Sequence, residues 1–436
     1  MAVSTFMQNI PEVSHQRVVI IGAGFGGLEL TKRLCRSRYQ VILLDRNNYH
    51  QFQPLLYQVA TAGLEPSAVS FPIRKFFQRY ENVYFRVAEV LSVNTDVKEV
   101  TTSVGKLSYD TLVLAAGTKT NFFGNPNMED FALQMKSTAD SIYIRNWILE
   151  NFEKALNFKD AGEIGEYINI AIVGGGPTGV ELAGALAEMK KHVFPKDYPG
   201  LDLSLMRIAL FQGSSLLLQG MSAKSSAKAK NYLEKLGVEV HFNSIAVDYD
   251  GKILRFDGGS SFSSRNVIWA AGVSADSVSG INPASVTVGN RLLVDRYNMV
   301  DGYRDVYAIG DFSFMKTREY PNGHPQVAQV AIQQARVLAK NLKKSSSGKS
   351  LKDFEYKNKG SMATIGRNLA VADLPLFHLS GFAAWVIWSM VHLFTLVGGK
   401  NRLSAFLNWI WKYLTYDQSL RLIIKPSVKA SREIDL

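Results

Sequence analysis

Two glycine-rich fingerprints, about 150 residues apart, restrict what this chain can fold into. Each follows a run of buried-strand residues, 18–21 and 170–173, and opens a helical stretch. In that context the first glycine makes the strand-to-helix turn, the second lets the backbone approach a pyrophosphate, and the third lets helix and strand pack closely. The pattern predicts two dinucleotide sites. Their candidate residues are Gly22, Gly24, Phe25, Gly26 and Gly27 in the first fingerprint and Gly174, Gly176, Pro177, Thr178 and Gly179 in the second.

The rest of the chain alternates between strand and helix patterns, which is typical of an α/β fold. A second buried strand ends at Asp45, whose carboxylate can accept the ribose hydroxyls of an adenosine; the alternative is a surface cap. Residues 112–118 and 267–272 repeat one strand shape, so the two halves contain similar nucleotide-binding units. The small residues that end these strands are further candidates for cofactor contact: Ala116 and Gly117, and Ala271 and Gly272.

The cysteine and histidine content excludes several kinds of chemistry. Cys35 is the only cysteine of the 436 residues, so the chain has no intrachain disulfide and no CxxC redox pair. The histidines are not clustered, and we predict no metal site. A disulfide or sulfide oxidoreductase, which needs a cysteine pair, is therefore disfavoured. Residues 1–16 have no apolar run and few arginines, so the expectation is a cytoplasmic start without a secretory signal or transit peptide.

The last quarter of the chain combines positive charge with apolar segments. Residues 336–436 hold sixteen Lys/Arg and six Asp/Glu, which amounts to +10 of the net charge of +11. Such a basic end could bind nucleic acid, an acidic partner or anionic lipid. Residues 375–399 contain no charged side chain, and a helical stripe follows at Leu403, Phe406, Leu407, Ile410, Trp411 and Leu414. We expect helices in the surface of an anionic membrane rather than nucleic-acid binding, with a core face and a spanning helix as alternatives.

These observations predict an α/β protein with two Rossmann-like dinucleotide-binding domains, the second inserted in the first, and a C-terminal amphipathic-helix membrane-anchoring module. The first domain is expected at 12–118 and 290–345, the second at 119–289 and the module at 346–436, with a polar linker at 345–350.

Several segments together resemble a type II NADH dehydrogenase, the single-chain, non-pumping NADH:quinone oxidoreductase of respiratory membranes. They are the paired fingerprints, residues 52–60 (FQPLLYQVA), 308–311 (AIGD), 328–334 (AQVAIQQ) and 413–416 (YLTY). The resemblance runs from about Arg17 to about Ile424. It implies non-covalent FAD in the first domain, NADH or NADPH as substrate in the second, and a bilayer quinone as acceptor. It also implies peripheral attachment to the cytoplasmic face of a bacterial inner membrane and a possible homodimer.

The resemblance also assigns roles to individual residues. Gly310 and Asp311 resemble the turn that contacts FAD, and Gln53 resembles a residue beside the flavin. Gln329 and Gln333, four apart on one helix face, match quinone-site glutamines. The position of Glu181 is linked in relatives to proton supply or quinone access, although an acid at a helix start often has no other task. Lys359 resembles a lysine close to the flavin; the alternative is one more basic residue in a basic tail.

One position departs from the family pattern. At the end of the second strand of the second domain, NADH-preferring relatives usually carry a carboxylate that repels a 2′-phosphate, whereas this chain has Gln212. Because that repulsive element is missing, we expect use of both NADH and NADPH. Two other functions stay open: a soluble NAD(P)H flavin reductase or diaphorase, and a membrane-attached flavoprotein redox sensor with incidental turnover.

Overall fold

The computed structural model describes residues 6–345, 348–418 and 420–424. The chain builds two parallel five-stranded sheets with helices around them, and then a small antiparallel sheet followed by two helices. Parts of two predicted segments, 346–347 of the polar linker and 419 and 425–436 of the C-terminal module, lie outside the described residues.

The first part of the chain forms most of the first domain. Its sheet is built on β1 and β2, whose apolar β-branched and leucine residues are buried on both faces, as expected in a parallel sheet. The elements in chain order are β1 (Arg17–Ile21), α1 (Phe25–Leu34), β2 (Gln40–Asp45), β3 (Tyr49–Gln51), α2 (Leu56–Ala60), α3 (Pro66–Val69), β4 (Ser70–Pro72), α4 (Ile73–Phe77), β5 (Val83–Val87), β6 (Val90–Asn94), β7 (Glu99–Thr102), β8 (Gly105–Ser108), β9 (Thr111–Leu114) and β10 (Thr118–Thr120).

The second domain repeats this plan. Its elements are α5 (Pro126–Phe131), β11 (Leu133–Gln134), α6 (Thr138–Ala155), α7 (Ala161–Ile168), β12 (Ile170–Val173), α8 (Pro177–His192), α9 (Phe194–Asp197), β13 (Ile208–Phe211), α10 (Ala223–Lys235), β14 (Val238–His241), β15 (Ala246–Tyr249), β16 (Ile253–Phe256), β17 (Ser261–Ser263), β18 (Asn266–Trp269) and β19 (Val273–Ala275). The parallel sheet has the order β11-β18-β12-β13-β14. An antiparallel three-stranded sheet precedes β18, as β6–β8 precede β9, so the predicted internal repeat is confirmed.

The chain then returns to the first domain through β20 (Leu292–Leu293), β21 (Val306–Ala308), β22 (Ser313–Phe314) and α11 (Ala328–Ser345). β21 pairs in parallel with β9, which gives the first sheet the order β21-β9-β1-β2-β5. The second domain is therefore inserted in the first, as predicted. The residue limits proposed for the domains remain predictions.

The C-terminal part packs on the second domain through a close backbone contact. It consists of β23 (Ser361–Gly366), β24 (Leu369–Asp373), β25 (His378–Ser380), α12 (Phe382–Thr395) and α13 (Gly399–Thr415). At Gly184 on α8, an added Cβ would lie 1.6 Å from the carbonyl oxygen of Ile365 on β23. Only glycine allows this approach, so Gly184 sets the distance between the C-terminal part and the second domain.

The predicted apolar stripe lies on α13 and faces outward. Its six members are between 41% and 72% exposed, so the core-face alternative is wrong. On α12, Phe382, Met390 and Phe394 are also more than half exposed. Within the described ranges, every helix is too short or too polar to cross a bilayer.

Candidate functional site

The first fingerprint makes a turn that only glycine can form. Gly22 has a φ of +99°, and a Cβ there would lie 2.4 Å from the carbonyl oxygen of Ala115 after β9. A Cβ on Gly27 would lie 1.8 Å from the carbonyl oxygen of Gly22. Gly26 packs against Ile309, where a Cβ would lie 3.2 Å from Cδ1. The fingerprint therefore joins β1, β9 and the end of β21 at one edge of the sheet.

The same edge has open space and an unpaired polar atom that fit a dinucleotide. A Cβ built on Gly24 or on Gly117, next to Ala116, would meet no atom within 4 Å. The imidazole of His50 is neutral near pH 7, because burial lowers its pKa to about 4. Its Nδ1–H donates to the carbonyl oxygen of Ala23 at 2.9 Å, and its buried Nε2 finds no partner among the described residues. These features fit FAD, the group that the resemblance implies.

Other predicted residues border this edge. Phe25 begins α1, and its ring contacts His50 and Phe52 edge-on, with centroid distances of 5.4 and 5.8 Å. Gln53 begins a short 3₁₀ helix, Gln53–Leu55, with its side chain exposed. Contact of these residues with a flavin stays a prediction.

Asp45 ends β2 beside the fingerprint. One carboxylate oxygen accepts the backbone N–H of Ala23 and the other that of Asn47, both at 2.7 Å. Burial raises the pKa of this carboxyl, while the two backbone donors lower it. The carboxylate supports the fingerprint turn through Ala23, and its contact with a ribose stays a prediction.

Asp311 lies among positive charges contributed by both domains. Burial raises its pKa, whereas Lys136, Arg291 and a hydrogen bond from Thr118 lower it. Lys136, from the second domain, donates to Thr118 Oγ1 at 2.7 Å. Gly310 has a φ of +68°, and its N–H donates to the buried Gln334 Oε1 at 2.7 Å. This rigid turn could hold the ribityl or pyrophosphate part of FAD.

The second fingerprint repeats the glycine geometry of the first. Gly174 has a φ of +116°, and a Cβ there would lie 2.5 Å from the carbonyl oxygen of Ala270, next to Ala271. A Cβ on Gly179 would lie 1.9 Å from the carbonyl oxygen of Gly174. Gly176 caps α8 with open space around it, and Pro177 and Thr178 form the first turn of that helix. A dinucleotide phosphate at this helix N-terminus would meet free backbone donors.

Gln212 directly follows β13 and contacts the second fingerprint. Its Oε1 accepts the N–H of Gly175 at 2.7 Å, and its Nε2 donates to Ser214 Oγ at 2.6 Å. At Gly272, which follows β18, a Cβ would lie 2.7 Å from the ring of Phe123. The neutral amide thus occupies the place in the second domain where a ribose-binding carboxylate would lie.

Glu181 lines a cavity of about 80 Å³ between α8, β23 and the two C-terminal helices. Its side chain is buried, and Oε1 accepts the N–H of Thr364 at 3.3 Å and the indole N–H of Trp388 at 3.2 Å. Burial raises its pKa to about 8, against the opposing effect of these two hydrogen bonds. Its carboxyl is therefore mostly protonated near neutral pH.

A second carboxyl group, that of Glu188, lines the same cavity two helical turns further along α8. Glu188 Oε1 accepts the N–H of Arg367, and its Oε2 lies 3.8 Å from Lys412 Nζ on α13. The Arg367 guanidinium lies between the rings of Tyr413 and Tyr416, 4.1 and 4.0 Å from their centroids. The YLTY segment thus forms a cation–π clamp at the cavity.

α13 also reaches the first domain through an indole. Trp409 Nε1 donates to Gln58 Oε1 at 2.8 Å, and Gln58 Nε2 donates to the hydroxyl of Tyr57 at 2.9 Å. Both Tyr57 and Gln58 line the cavity. Each C-terminal helix therefore donates one tryptophan N–H to a polar side chain of the candidate site.

Gln329 and Gln333 share one face of α11, as predicted, and both hold the backbone of the segment before β23. Gln329 Nε2 donates to the carbonyl oxygen of Gly360 at 2.9 Å, and its Oε1 accepts the N–H of Lys359. Gln333 bonds both backbone groups of Lys357. The Lys359 side chain is exposed. The lining of the Glu181 cavity does not include these three side chains, so their contact with a quinone stays a prediction.

Sequence reasoning missed several residues of the site: Lys136, Glu188, Arg367, Trp388, Trp409 and Lys412. The two tryptophans lie in apolar segments, and apolar composition does not show which way an indole N–H points. Glu188 lies on α8, Lys412 on α13, and Lys136 and Arg367 in two loops, so only the tertiary structure brings them together.

Comparison with known proteins places these features in a family. A family model described as "Pyridine nucleotide-disulphide oxidoreductase" matches residues 16–335. A model described as "NDH2 C-terminal domain" matches residues 358–416, which include all elements from β23 to α13. The fold is also that of NDH2 from Plasmodium falciparum, solved in complex with NADH, with a TM-score of 0.85 at 24% identity over 94% of this chain and 100% of that chain.

Two curated relatives come from Mycobacterium tuberculosis. The chain is 36% identical to type II NADH:quinone oxidoreductase NdhA over 410 residues, 90% of this chain and 86% of NdhA. It is 34% identical to type II NADH:quinone oxidoreductase Ndh over 418 residues, 92% of this chain and 88% of Ndh. With both fingerprints, the Asp45 contact and the C-terminal module in place, the chain belongs to the type II NADH:quinone oxidoreductase family.

Proposed function

We propose that this protein oxidises NADH and reduces a membrane quinone, with FAD between the two substrates and without proton pumping. The observation that carries the proposal is the cavity at Glu181, which lies between the nucleotide-binding domain and two helices with exposed apolar faces. FAD, when bound, supplies the hydride and electron chemistry that the side chains lack. Gly22, Gly24, Asp45, Gly310 and Asp311 would hold it.

Glu181 would supply a proton to the quinone. Reduction of a quinone to a quinol takes up two protons, and a buried carboxyl with a pKa of about 8 holds one near neutral pH. Oε1 is occupied by two donors, so the proton belongs on Oε2, for which the described residues offer no hydrogen bond. Tyr57 and Gln58 on the facing wall would orient the quinone ring.

The nucleotide site would accept NADPH as well as NADH. Gln212 keeps the acceptor that supports the fingerprint turn but carries no charge to repel a 2′-phosphate. Its amide N–H is bonded to Ser214 Oγ, so Ser214 would share in contacts to the ribose.

The C-terminal helices would lie in the surface of an anionic membrane, on the cytoplasmic face of a bacterial inner membrane. Support comes from the outward apolar stripe of α13 and from the positive charge of the last quarter of the chain. Co-sedimentation with vesicles tests this. We expect binding to vesicles with anionic lipid, weakening in salt, and loss of binding in Leu407→Asp/Leu414→Asp. A homodimer stays a prediction.

The enzymatic test uses purified, FAD-loaded protein with NADH or NADPH, and a short-chain quinone supplied or withheld. We expect the quinone to raise turnover well above the oxygen-only rate with both nucleotides. If the flavin is reduced but quinone does not reoxidise it, the proposed function fails and a reductase or sensor takes its place. If only NADH is used, the assignment of Gln212 fails and the enzymatic proposal stands.

A further inference from the structure

α12 extends from one dinucleotide-binding domain to the other, with a glycine at each end. Gly381 directly precedes α12, and a Cβ there would lie 3.5 Å from the hydroxyl oxygen of Tyr232 on α10 of the second domain. Gly398 lies between α12 and α13, and a Cβ there would overlap the ring of Phe71 on β4 of the first domain. The outward apolar face of α12 therefore ends on each side at an aromatic ring of a nucleotide-binding domain.

A lysine lies over each of these two rings. The Nζ atom of Lys228 is 5.3 Å from the centroid of the Tyr232 ring, and that of Lys75 is 5.8 Å from the centroid of the Phe71 ring. Both lysines are exposed, and within the described part of the chain neither forms an ion pair. Aromatic rings and lysines beside an apolar helix face are typical of protein segments at the headgroup level of a membrane.

Both segments that carry these lysines have an excess of positive charge. α10 contains four lysines and one glutamate, and residues 71–80 contain three basic residues and no acidic one, so each segment has a net charge of +3. Anionic lipid headgroups attract such segments. Nucleic acid would match the charge but not the apolar side chains of Phe382 and Phe394, which are 57% and 65% exposed at the two ends of α12. The combination favours an anionic bilayer.

We propose that both dinucleotide-binding domains contact the headgroups of an anionic membrane directly, the second domain through Lys228 and Tyr232 and the first through Lys75 and Phe71. This inference rests on the membrane attachment proposed above and adds two contacts that lie outside the C-terminal part. α12 has 14 residues, so the two contacts are about 21 Å apart. Because the Debye length is about 10 Å at 0.1 M salt, the two contacts act independently.

The experiment is co-sedimentation of the FAD-loaded full-length protein with vesicles made of equal parts of phosphatidylcholine and phosphatidylglycerol. At about 0.1 M salt, Lys75→Glu and Lys228→Glu should each weaken binding about 5-fold or more, and the double variant about 25-fold or more. At about 1 M salt the Debye length falls to about 3 Å, so wild type and variants should bind alike. An effect of only one of the two lysines overturns the proposal that both domains contact the membrane.

The matched control is the double variant Lys252→Glu/Lys316→Glu, which makes the same change of charge with one exposed lysine from each domain. Lys252 lies in the turn between β15 and β16, and Lys316 follows β22 and lies over the ring of Phe314. This control should bind vesicles as the wild type does. If it loses as much affinity as Lys75→Glu/Lys228→Glu, the net charge of the protein acts and not the contacts at the ends of α12, and the proposal is overturned.

A fluorescent label measures the contact itself. Cys35 is the only cysteine and is buried, so a cysteine placed at the surface can be labelled selectively. Lys75→Cys and Lys228→Cys, labelled with a polarity-sensitive fluorophore, should shift their emission to the blue on anionic vesicles, and Lys252→Cys should not.

The outcomes separate this inference from the proposed function. Turnover of a soluble short-chain quinone should stay at the wild-type level in all these variants, because none of the changed lysines lines the cavity at Glu181. If the wild type binds vesicles but the labels at 75 and 228 do not shift, the proposed attachment stands and this inference is overturned. If the wild type does not bind vesicles, the attachment and this inference both fail, while quinone turnover still tests the enzymatic proposal.

Discussion

Gln212 and Asp45 occupy equivalent positions in the two dinucleotide-binding domains. Asp45 is the last residue of β2 and Gln212 directly follows β13. A side-chain oxygen of each accepts a hydrogen bond of 2.7 Å from the backbone N–H of the second fingerprint residue, Ala23 for Asp45 and Gly175 for Gln212. The contact with the turn is therefore the same, but only Asp45 carries a negative charge. The difference lies in electrostatics and not in geometry.

Gln212→Glu should restore discrimination against NADPH. The carboxylate can still accept the Gly175 N–H, and it would repel a 2′-phosphate. We expect kcat/KM for NADPH to fall about 10- to 100-fold, with that for NADH changing less than about 3-fold, a difference of roughly 1–3 kcal/mol. Steady-state kinetics with both nucleotides measure this. Equal losses for the two nucleotides would show that Gln212 acts only on the turn.

Glu181→Gln should slow the reoxidation of reduced flavin by quinone. General acids contribute about 10²- to 10⁴-fold, so we expect a loss of roughly 10²-fold or more, with reduction by NADH little changed. In the wild type the rate should fall as the pH rises through about 8, because Glu181 then loses its proton. Stopped-flow flavin absorbance measures both steps. A wild-type rate that stays constant from pH 6 to 9 contradicts the assignment.

The same carboxyl should make stability depend on pH. Its pKa rises from 4.5 to about 8 on folding, so the folded state holds a proton that the unfolded chain releases between these values. The contribution of Glu181 is fully present below pH 4.5 and is lost as the pH rises to about 8. As the pH rises from 4.5 to about 8, the free energy of unfolding of Glu181→Gln should therefore increase relative to that of the wild type. If the unfolding free energies of the two proteins change with pH in parallel, the pKa of Glu181 is not raised on folding.

Trp388→Phe should raise the pH at which flavin reoxidation by quinone slows. The indole N–H stabilises the charged form of Glu181, so its removal raises the pKa further, by up to about one pH unit. Trp409→Phe is the matched control, since its indole bonds Gln58 and not Glu181. Stopped-flow reoxidation from pH 6 to 10 measures both variants. If both variants shift this pH equally, the effect comes from helix packing and not from the hydrogen bond.

Gly184→Ala should loosen the C-terminal part. A Cβ at this position would meet the Ile365 carbonyl oxygen at 1.6 Å, which requires a backbone shift between α8 and β23. We expect a loss of about 3 kcal/mol or more in unfolding free energy and weaker quinone turnover. Gly165→Ala on α7 is the control: its Cβ would have its nearest contact at 3.6 Å, and stability should stay equal or rise. Thermal unfolding compares them.

The sequence predicted the parts of the fold that depend on local pattern. The strands at 18–21, 41–45, 170–173 and 267–269 and the stripe on α13 follow from buried or periodic apolar residues. The inserted topology followed from the repeated strand shapes and from the family resemblance. Short strands such as β10 and β19 carry no such pattern, because their pairing depends on the contact between domains.

The candidate site was predicted less completely. Fingerprint glycines and Asp45 could be recognised because backbone geometry requires them at fixed spacing. Trp388 could not, since its role depends on which atom its indole N–H reaches after packing. Gln329 and Gln333 were correctly predicted to share one helix face. Their partners are backbone groups at 357–360, and the sequence carries no signal for such a contact.

The most direct test of the central claim, that quinone reacts in the cavity at Glu181, is single-turnover reoxidation of reduced flavin in Ser389→Trp. Ser389 lines the cavity on α12, so an indole there would fill it. Met390→Trp is the control, because Met390, the next residue along α12, is 56% exposed and points outward. We predict normal reduction by NADH in both variants and at least about 10-fold slower reoxidation by quinone in Ser389→Trp alone. Reoxidation of a folded, FAD-loaded Ser389→Trp protein at the wild-type rate would contradict the account.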